Sequence, residues 1–292
     1  MLRQEIILKY FNNIIELKGA DELKETAKRL HIFLKNRENY SLAGVTLPNY
    51  LLIANRGGGI TTVIEAFTEY LYALRAIEFC GMVKFFEFKL EYIHPDSFFS
   101  ELTRLDKTIA SFAGHNRYFK GIVGIDINEW SGHVHETHFS KLLDYISGNN
   151  DKMLVIFYIH KNKKNIIPSV ESAISAQVRL ESINLRFPDA DELVDLVDVK
   201  YLQSKGFTLT ADAKFILLET IEEIAKSKHF NGFKTIVRLA SDILYNIFAN
   251  DIKDKFICAE MLADYGKDSE YVKRAKAQIR NKKIIGFNER GA

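Results

Sequence analysis

The stretch that decides the fold is LPNYLLIANRGGGITTVIEAFTEYLYAL, residues 47–74. Its first part, residues 50–53 (YLLI), is a short apolar run that is typical of a buried strand. Glycines 57–59 follow as a turn, and apolar residues then recur at helical spacing from Val63 to Leu74. The sequence therefore predicts a strand, a glycine-rich turn and a helix in direct succession.

A turn of this composition between a strand and a helix is typical of a phosphate-binding loop. Glycines allow backbone N–H groups to face an anion, and the N-terminus of the helix adds a favourable dipole. The complete motif is G-x-x-x-x-G-K-[ST]. In this chain Ala54 replaces the first glycine and Ile60 replaces the lysine, while Gly59 and Thr61 are retained.

The stretch thus predicts a nucleotide site that lacks the lysine side chain, the main positive charge of the motif. The cofactor expected at such a site is ATP or ADP with Mg²⁺, held more weakly than in the complete motif. The predicted nucleotide-binding residues here are Asn55, Arg56, Gly57, Gly58, Gly59, Thr61 and Thr62.

The composition is ordinary for a soluble globular protein. The 292 residues are 47% hydrophobic and 27% charged, and the net charge of +2 does not argue for nucleic acid, which is an unlikely partner. Cys80 and Cys258 have neither metal-ligand nor redox spacing, which fits a reducing compartment. No apolar stretch reaches the length of a membrane span, and the N-terminus does not resemble a signal peptide. We expect a cytoplasmic protein without membrane contact.

Apolar runs and helical patterns alternate before Pro188. Strands are predicted at 82–90, 121–126 and 153–159. Helices are predicted at 3–35 (broken at 18–21), 95–112 and 139–146, and a polar loop is predicted at 36–46. Such alternation favours a parallel sheet covered on both faces. After Ile183 the patterns are helical and no further strand is predicted, which places a domain boundary near Phe187 and Pro188.

Five segments, taken in order, resemble one protein family. They are ELKGADELK (16–24), residues 51–65, FPDADEL (187–193), FNGFKTIVRL (230–239) and IIGF (284–287). They resemble the entry helix, phosphate loop, lid junction, second-sensor helix and ending of the stage V sporulation protein K and red-type rubisco activase clade of the AAA+ superfamily. The resemblance implies a three-layer α/β P-loop AAA+ domain with a parallel sheet at 1–187. A small all-α lid domain with a basic C-terminal helix would follow at 188–292.

The resemblance also implies catalytic roles, and two positions depart from it. Asp126 follows the apolar residues 122–125 and matches the acidic residue that steers Mg²⁺ together with Thr61. Ile127 stands where the family has the glutamate that activates water, and an apolar side chain cannot accept a proton. Glu129 could take over if the loop bends back. The predicted catalytic residues are therefore Asp126 and Glu129, and the predicted metal ligands are Thr61 and Asp126.

Other family positions are occupied by polar groups. Tyr158 or His160 would be the first sensor, and Lys234 stands at the second-sensor arginine, where it keeps the charge without bidentate geometry. Arg179 and Arg186 are candidates for the arginine that reaches a neighbouring subunit. The implied partners are copies of this chain or other AAA+ subunits, together with a client protein.

Three further signals have an ordinary interpretation beside a functional one. In HVHETH (133–138) the histidine pair is one residue short of the H-E-x-x-H zinc motif, so a polar loop is predicted. Tyr92 and Ile93 resemble a substrate-threading pair, with burial at the sheet edge as the alternative. The basic segments 161–164 and 273–283 could contact nucleic acid or an acidic partner, but a solvated helix face is the commoner meaning of such segments.

Three functional hypotheses follow. The first is an AAA+ protein with degenerate motifs that has lost hydrolysis and serves as a structural or regulatory subunit. The second is an active ATPase that remodels a protein partner with displaced groups, Arg56 for the lysine and Glu129 for the base. The third is a DNA-associated clamp-loader-like module. The simultaneous changes at Ile60 and Ile127 favour the first, a non-enzyme.

Overall fold

The computed structural model describes residues 2–40, 47–74, 85–89, 103, 104, 107, 121–150, 153–161, 165–227, 230–252 and 254–277. The chain divides into two compact units, Met1–Phe187 and Pro188–Ala292. None of the helices within the described ranges combines the length and the apolar character that a membrane crossing requires.

The first unit is built on a parallel sheet of five described strands. They are β1 (Asn49–Ala54), β2 (Phe85–Lys89), β3 (Gly121–Asp126), β4 (Met153–His160) and β5 (Leu180–Asn184). The strand order is β2-β3-β4-β1-β5, and every pairing is parallel. Since the strands are parallel, the ends of β1, β3 and β4 lie at one edge of the sheet.

Helices cover both faces of this sheet. They are α1 (Leu2–Ile15), α2 (Asp21–Tyr40), α3 (Ile60–Ala73), α4 (Thr137–Ser147) and α5 (Ile167–Ser175). One apolar cluster joins the sheet to α1, α2 and α3, and we call this side the α3 face. A second cluster joins it to α4 and α5, on the side we call the α4 face. The predicted three-layer α/β arrangement with a parallel sheet is confirmed.

The second unit is mainly helical. Its helices are α6 (Ala190–Asp195), α7 (Ala211–Ala225), α8 (Phe233–Ala249) and α9 (Glu270–Ala277). A capping box begins α6, in which the Asp189 carboxylate accepts from the Glu192 N–H at 2.9 Å, and a π-helical segment, Leu196–Leu202, continues it. Two-residue strands, β6 (Thr208–Leu209) and β7 (Phe256–Ile257), pair in parallel.

A buried carboxylate connects three elements of the second unit. Asp198, 1% exposed in the π-helical segment, accepts from the Leu209 N–H at 3.1 Å and pairs with Lys214 Nζ at 2.7 Å. The hydrogen bond to Asp198 raises the pKa of Lys214. A charge so deeply buried requires such partners, because desolvation without them is very costly.

Several predicted boundaries need correction. The loop predicted at 36–46 begins too early, since α2 continues to Tyr40 through residues that include neither glycine nor proline. The sequence predicted no strand after Ile183, yet β6 and β7 are present; two residues are too few to produce a periodic pattern. Thr210 is the N-cap residue of α7, but its hydroxyl donates to the Ile257 carbonyl at 3.0 Å and forms no capping hydrogen bond with the helix. Of the predicted helix 95–112, the described residues 103, 104 and 107 are helical.

Candidate nucleotide site

The glycine turn adopts a backbone that side chains would obstruct. Gly57 and Gly59 have φ angles of 78° and 73°, in the left-handed region that favours glycine. Gly58 N–H donates to the Asn55 carbonyl at 2.9 Å, and a Cβ added to Gly58 would lie 2.9 Å from that same oxygen. Each of the three glycines therefore has its own conformational or steric requirement.

The turn leads directly into the N-terminus of α3. Gly59 is the N-cap, and its carbonyl accepts from the Val63 N–H at 3.1 Å. The N–H groups of the first helical residues have no acceptor within the helix, so they can face an anion. Thr61 and Thr62 are exposed in this first turn. The backbone of the predicted phosphate loop is thus present.

Two side chains bear on the missing phosphate-contacting lysine: Ile60, at its position, and Arg56, its possible substitute. Their environments differ. Ile60 is partly buried and packs against the apolar cluster of the α3 face. Arg56 is exposed in the turn, with neither an ion pair nor a hydrogen bond to any described residue. Ile60 cannot supply positive charge. Arg56 carries positive charge, and no ion pair or hydrogen bond to a described residue holds its side chain in one position.

Side chains along β3 point alternately to the two faces of the sheet, and this alternation places Asp126 on the α3 face, the face of the helix that follows the glycine turn. Ile122 belongs to the cluster of the α3 face, so Asp126, four residues later, points to the same face. Asp126 pairs with Tyr158 of β4, and Tyr158 pairs with Leu52 of β1. Strands β3 and β1 are two strand spacings apart, or about 10 Å. Asp126 is half-buried at the sheet edge where β1 ends.

Ile127 points the other way. Val123, Ile125 and Ile127 all contribute to the cluster of the α4 face, and Ile127 is 0% exposed. Its N–H donates to the Tyr158 carbonyl at 3.2 Å, which continues the pairing of β3 with β4 by one residue. The position at which the resemblance implied a water-activating glutamate is therefore a core position in this chain.

Asn128 connects the ends of β3 and β4, a contact that the sequence analysis did not identify. Asp126 Oδ1 accepts from the Asn128 backbone N–H at 2.9 Å and from its side-chain Nδ2 at 2.7 Å. The side-chain oxygen of Asn128 accepts from the His160 N–H at 2.9 Å. An asparagine two residues after an aspartate is a signal for this turn, since both side chains bond readily to nearby backbone.

The first-sensor candidates lie on the α3 face. Tyr158 is 6% exposed in the cluster of that face, and its backbone is paired with β1 and β3. His160 pairs with Ala54, immediately before the glycine turn. Its Nδ1 is buried and has no hydrogen-bond partner among the described residues. His160 is therefore the candidate with an unsatisfied polar atom near the turn.

The two candidate arginines have different surroundings. Arg186 donates to the Asp21 carboxylate at 2.7 Å within its own unit, and this hydrogen bond lowers the pKa of Asp21. Arg179 is exposed, and its carbonyl accepts from the Asn49 N–H at 2.8 Å at the beginning of β1. About six residues of extended strand, or roughly 20 Å, separate that level from the glycine turn. Arg179 cannot reach the turn of its own subunit.

The remaining predicted residues belong to elements other than the glycine turn and β3. Glu129 is exposed and precedes the 3₁₀ turn Trp130–Gly132. Lys234 is exposed in the first turn of α8, in the second unit. His133 pairs with Glu136 at 2.6 Å, whereas His135 contacts the Ser169 hydroxyl at 2.5 Å, and the described residues contain no group of three metal-ligating side chains. Tyr92, Ile93 and segment 284–287 lie outside the described residues.

Comparison with known proteins identifies the fold. No family model matches the chain, and no curated protein does. Solved structures match along most of its length: Caenorhabditis elegans PCH-2 has a TM-score of 0.56 at 12% identity, over 93% of this chain and 72% of that one. A Thermotoga maritima RuvB variant has a TM-score of 0.53 at 12% identity, over 85% of this chain and 69% of that one. A second variant of the same RuvB scores 0.51 at 12% identity, over 84% and 71%.

These neighbours are AAA+ ATPases. At 12% identity the likeness shows the fold alone, and the chain has the α/β fold of AAA+ proteins. The prediction of the AAA+ fold is confirmed.

Proposed function

We propose that this chain is an AAA+ protein that has lost ATP hydrolysis and binds nucleotide with reduced affinity. It serves as a structural or regulatory subunit of an AAA+ assembly in the cytoplasm. Within the superfamily, the five matching segments favour the clade of stage V sporulation protein K and red-type rubisco activase. In this proposal unit Met1–Phe187 is the nucleotide-binding domain, and unit Pro188–Ala292 is the lid.

The observation that carries the proposal is the position of Ile127. Hydrolysis requires a group that accepts a proton from the attacking water, and the family places a glutamate here. Ile127 is fully buried and points to the α4 face, away from Asp126 and the glycine turn. Ile127 therefore supplies neither a proton acceptor nor a side chain directed toward the glycine turn.

The polar groups present at the turn are suited to binding a nucleotide, but none of them is suited to activating the water that would hydrolyse it. The N–H groups of the glycine turn and the first turn of α3 would face the phosphates. Thr61 and Asp126 have the oxygen atoms that Mg²⁺ prefers, and both belong to the same face and edge of the sheet. The unsatisfied Nδ1 of His160 adds a polar group near the turn. Bound Mg²⁺ would supply positive charge beside the phosphates, and Ile60 supplies none.

Arg179 supports the assembly part of the proposal. It is exposed at the end of the sheet opposite the glycine turn, too far away to reach the turn of its own subunit, so any role at a nucleotide would be at the site of a neighbouring subunit. Arg186, the other candidate, pairs with Asp21 of its own unit. The expected partners are copies of this chain or catalytically active AAA+ subunits.

A direct experiment is to titrate the purified full chain with ATP and Mg²⁺ by calorimetry and to follow phosphate release from labelled ATP. We expect measurable binding without phosphate release above background. Turnover of about 1 s⁻¹, which is ordinary for an enzyme, would overturn the proposal.

The exposure of Arg56 favours one alternative, an active ATPase with displaced groups. In that case Arg56 would replace the lysine and Glu129 the base, and either Arg56→Ala or Glu129→Gln would abolish turnover. Equal, background-level release from the wild type and both variants is the result that the hydrolysis-deficient proposal predicts.

A further inference from the structure

Asn128 holds the Asp126 carboxylate through one oxygen. Both donors of Asn128, the backbone N–H and Nδ2, converge on Asp126 Oδ1, at 2.9 and 2.7 Å. Hydrogen bonds to an ionised acceptor are among the stronger ones in proteins, so two of them restrict the rotation of the carboxylate. Asp126 Oδ2 has no hydrogen-bond partner among the described residues.

The orientation of the Asn128 amide is fixed by its two partners. The backbone N–H of His160 can only donate, so the side-chain oxygen of Asn128 must face it. The carboxylate of Asp126 can only accept when ionised, so Nδ2 must face Asp126. The amide therefore links the acidic end of β3 to the end of β4, where His160 lies beside Ala54 and the glycine turn.

The consequence is a carboxylate with one oxygen engaged and one available. We propose that Asn128 is a positioning residue that fixes Asp126 so that its Oδ2 is presented to a divalent cation between β3 and α3. The inference deepens the proposed function, because the cation is the one that would accompany the nucleotide. Hydrogen bonds to ligating side chains typically change metal affinity by 10- to 100-fold.

A neighbouring hydroxyl provides the matched control. Ser131 is 0% exposed, and its Oγ donates to the Asn128 carbonyl at 2.9 Å. Ser131→Ala removes the hydroxyl that bonds to the Asn128 carbonyl while it leaves both donors to Asp126 in place. Any effect that comes merely from loosening this turn should therefore appear in Ser131→Ala as well.

The test uses Mn²⁺ as a paramagnetic probe on the nucleotide-free full chain. Broadening of the amide resonances of Asp126 and Thr61 would be followed as Mn²⁺ is added, with Asp126→Asn as the variant that removes the ligand charge. We expect the Mn²⁺ affinity to fall about tenfold or more in Asn128→Ala and to stay unchanged in Ser131→Ala. Asn128→Ser keeps a hydroxyl that can donate to Asp126, so it should recover part of the affinity.

Two results would overturn the inference. One is an Asn128→Ala variant that binds Mn²⁺ as tightly as the wild type, and the other is a wild type that binds it no better than Asp126→Asn. Hydrogen exchange at the His160 amide reports the link itself: it should accelerate in Asn128→Ala and not in Ser131→Ala. Exchange that is unchanged in Asn128→Ala also counts against the inference.

Nucleotide affinity measured in the presence of a chelator separates this inference from the proposed function. Under those conditions the glycine turn acts without a cation, so Asn128→Ala should bind ATP as the wild type does. If the wild type binds no ATP with or without Mg²⁺, the proposed function fails, while the Mn²⁺ result still decides the role of Asn128.

Discussion

In the proposed assignment, Ile60 and Ile127 occupy the positions of two charged side chains of a complete AAA+ site, yet their surroundings differ. Ile60 is partly buried at the beginning of α3, beside exposed Thr61 and a turn that keeps its glycine geometry. Ile127 is 0% exposed and packs with the apolar side chains of α4 and α5. Under the proposed function, the first substitution removes a charge from a turn whose backbone can still face an anion, whereas the second position is part of the core.

This difference indicates which loss is reversible. A lysine at position 60 could keep its aliphatic stem against the cluster and extend its ammonium group to solvent. A glutamate at position 127 would place a carboxylate among apolar side chains, where ionisation is strongly disfavoured. We therefore expect nucleotide affinity to be restorable by one substitution, and hydrolysis not to be.

The largest expected effect is that of Ile127→Glu. Burial of an unpaired carboxylate should lower the free energy of unfolding by about 4 kcal/mol or more, whereas the control Ile127→Val should cost about 1 kcal/mol. Urea unfolding of the full chain, followed by circular dichroism, measures both. An Ile127→Glu variant with wild-type stability that released phosphate from ATP would contradict the core assignment of this position.

The sequence alone revealed the residue at position 127 but not its direction. The apolar run 121–126 predicted β3 correctly, and the change from glutamate to isoleucine was visible from the resemblance. Whether Ile127 faces the core depends on how far the pairing with β4 continues, and the Ile127 N–H to Tyr158 carbonyl bond extends it by one residue. Such register is a tertiary property that a single sequence does not specify.

A second effect is expected at the glycine turn. Gly59→Ala places a Cβ on a backbone with a φ angle of 73°, which should cost about 1–2 kcal/mol of stability and weaken nucleotide binding. Gly132→Ala is the control, since a Cβ at Gly132 meets nothing within 4 Å. It should be nearly neutral. Thermal unfolding and calorimetric ATP titration measure the two effects; equal behaviour of both variants would indicate that the turn has no special requirement.

The glycine turn and the central strands were predictable because their signals are local and strong. In contrast, β5 has the sequence LESIN, in which polar side chains dominate, and it was not assigned as a strand. It lies at the edge of the five described strands, with a described neighbour on one side only, so a continuous apolar run is not required. The Asn128 link was missed because it joins residues 32 positions apart, Asn128 and His160.

The smallest expected change in stability, and the most informative one for function, is that of Ile60→Lys. The new ammonium group would extend toward the phosphates bound by the glycine turn, and a hydrogen bond to a charged group contributes about 1.5–3 kcal/mol, so ATP affinity should rise about tenfold or more. Ile60→Met is the control because it has a similar stem without charge. Calorimetric titration at two salt concentrations measures the gain, which should shrink as salt screens the charge. Phosphate release should remain at background in both variants because Ile127 is unchanged. An Ile60→Lys variant with unaltered ATP affinity would mean that the missing charge is not what weakens this site.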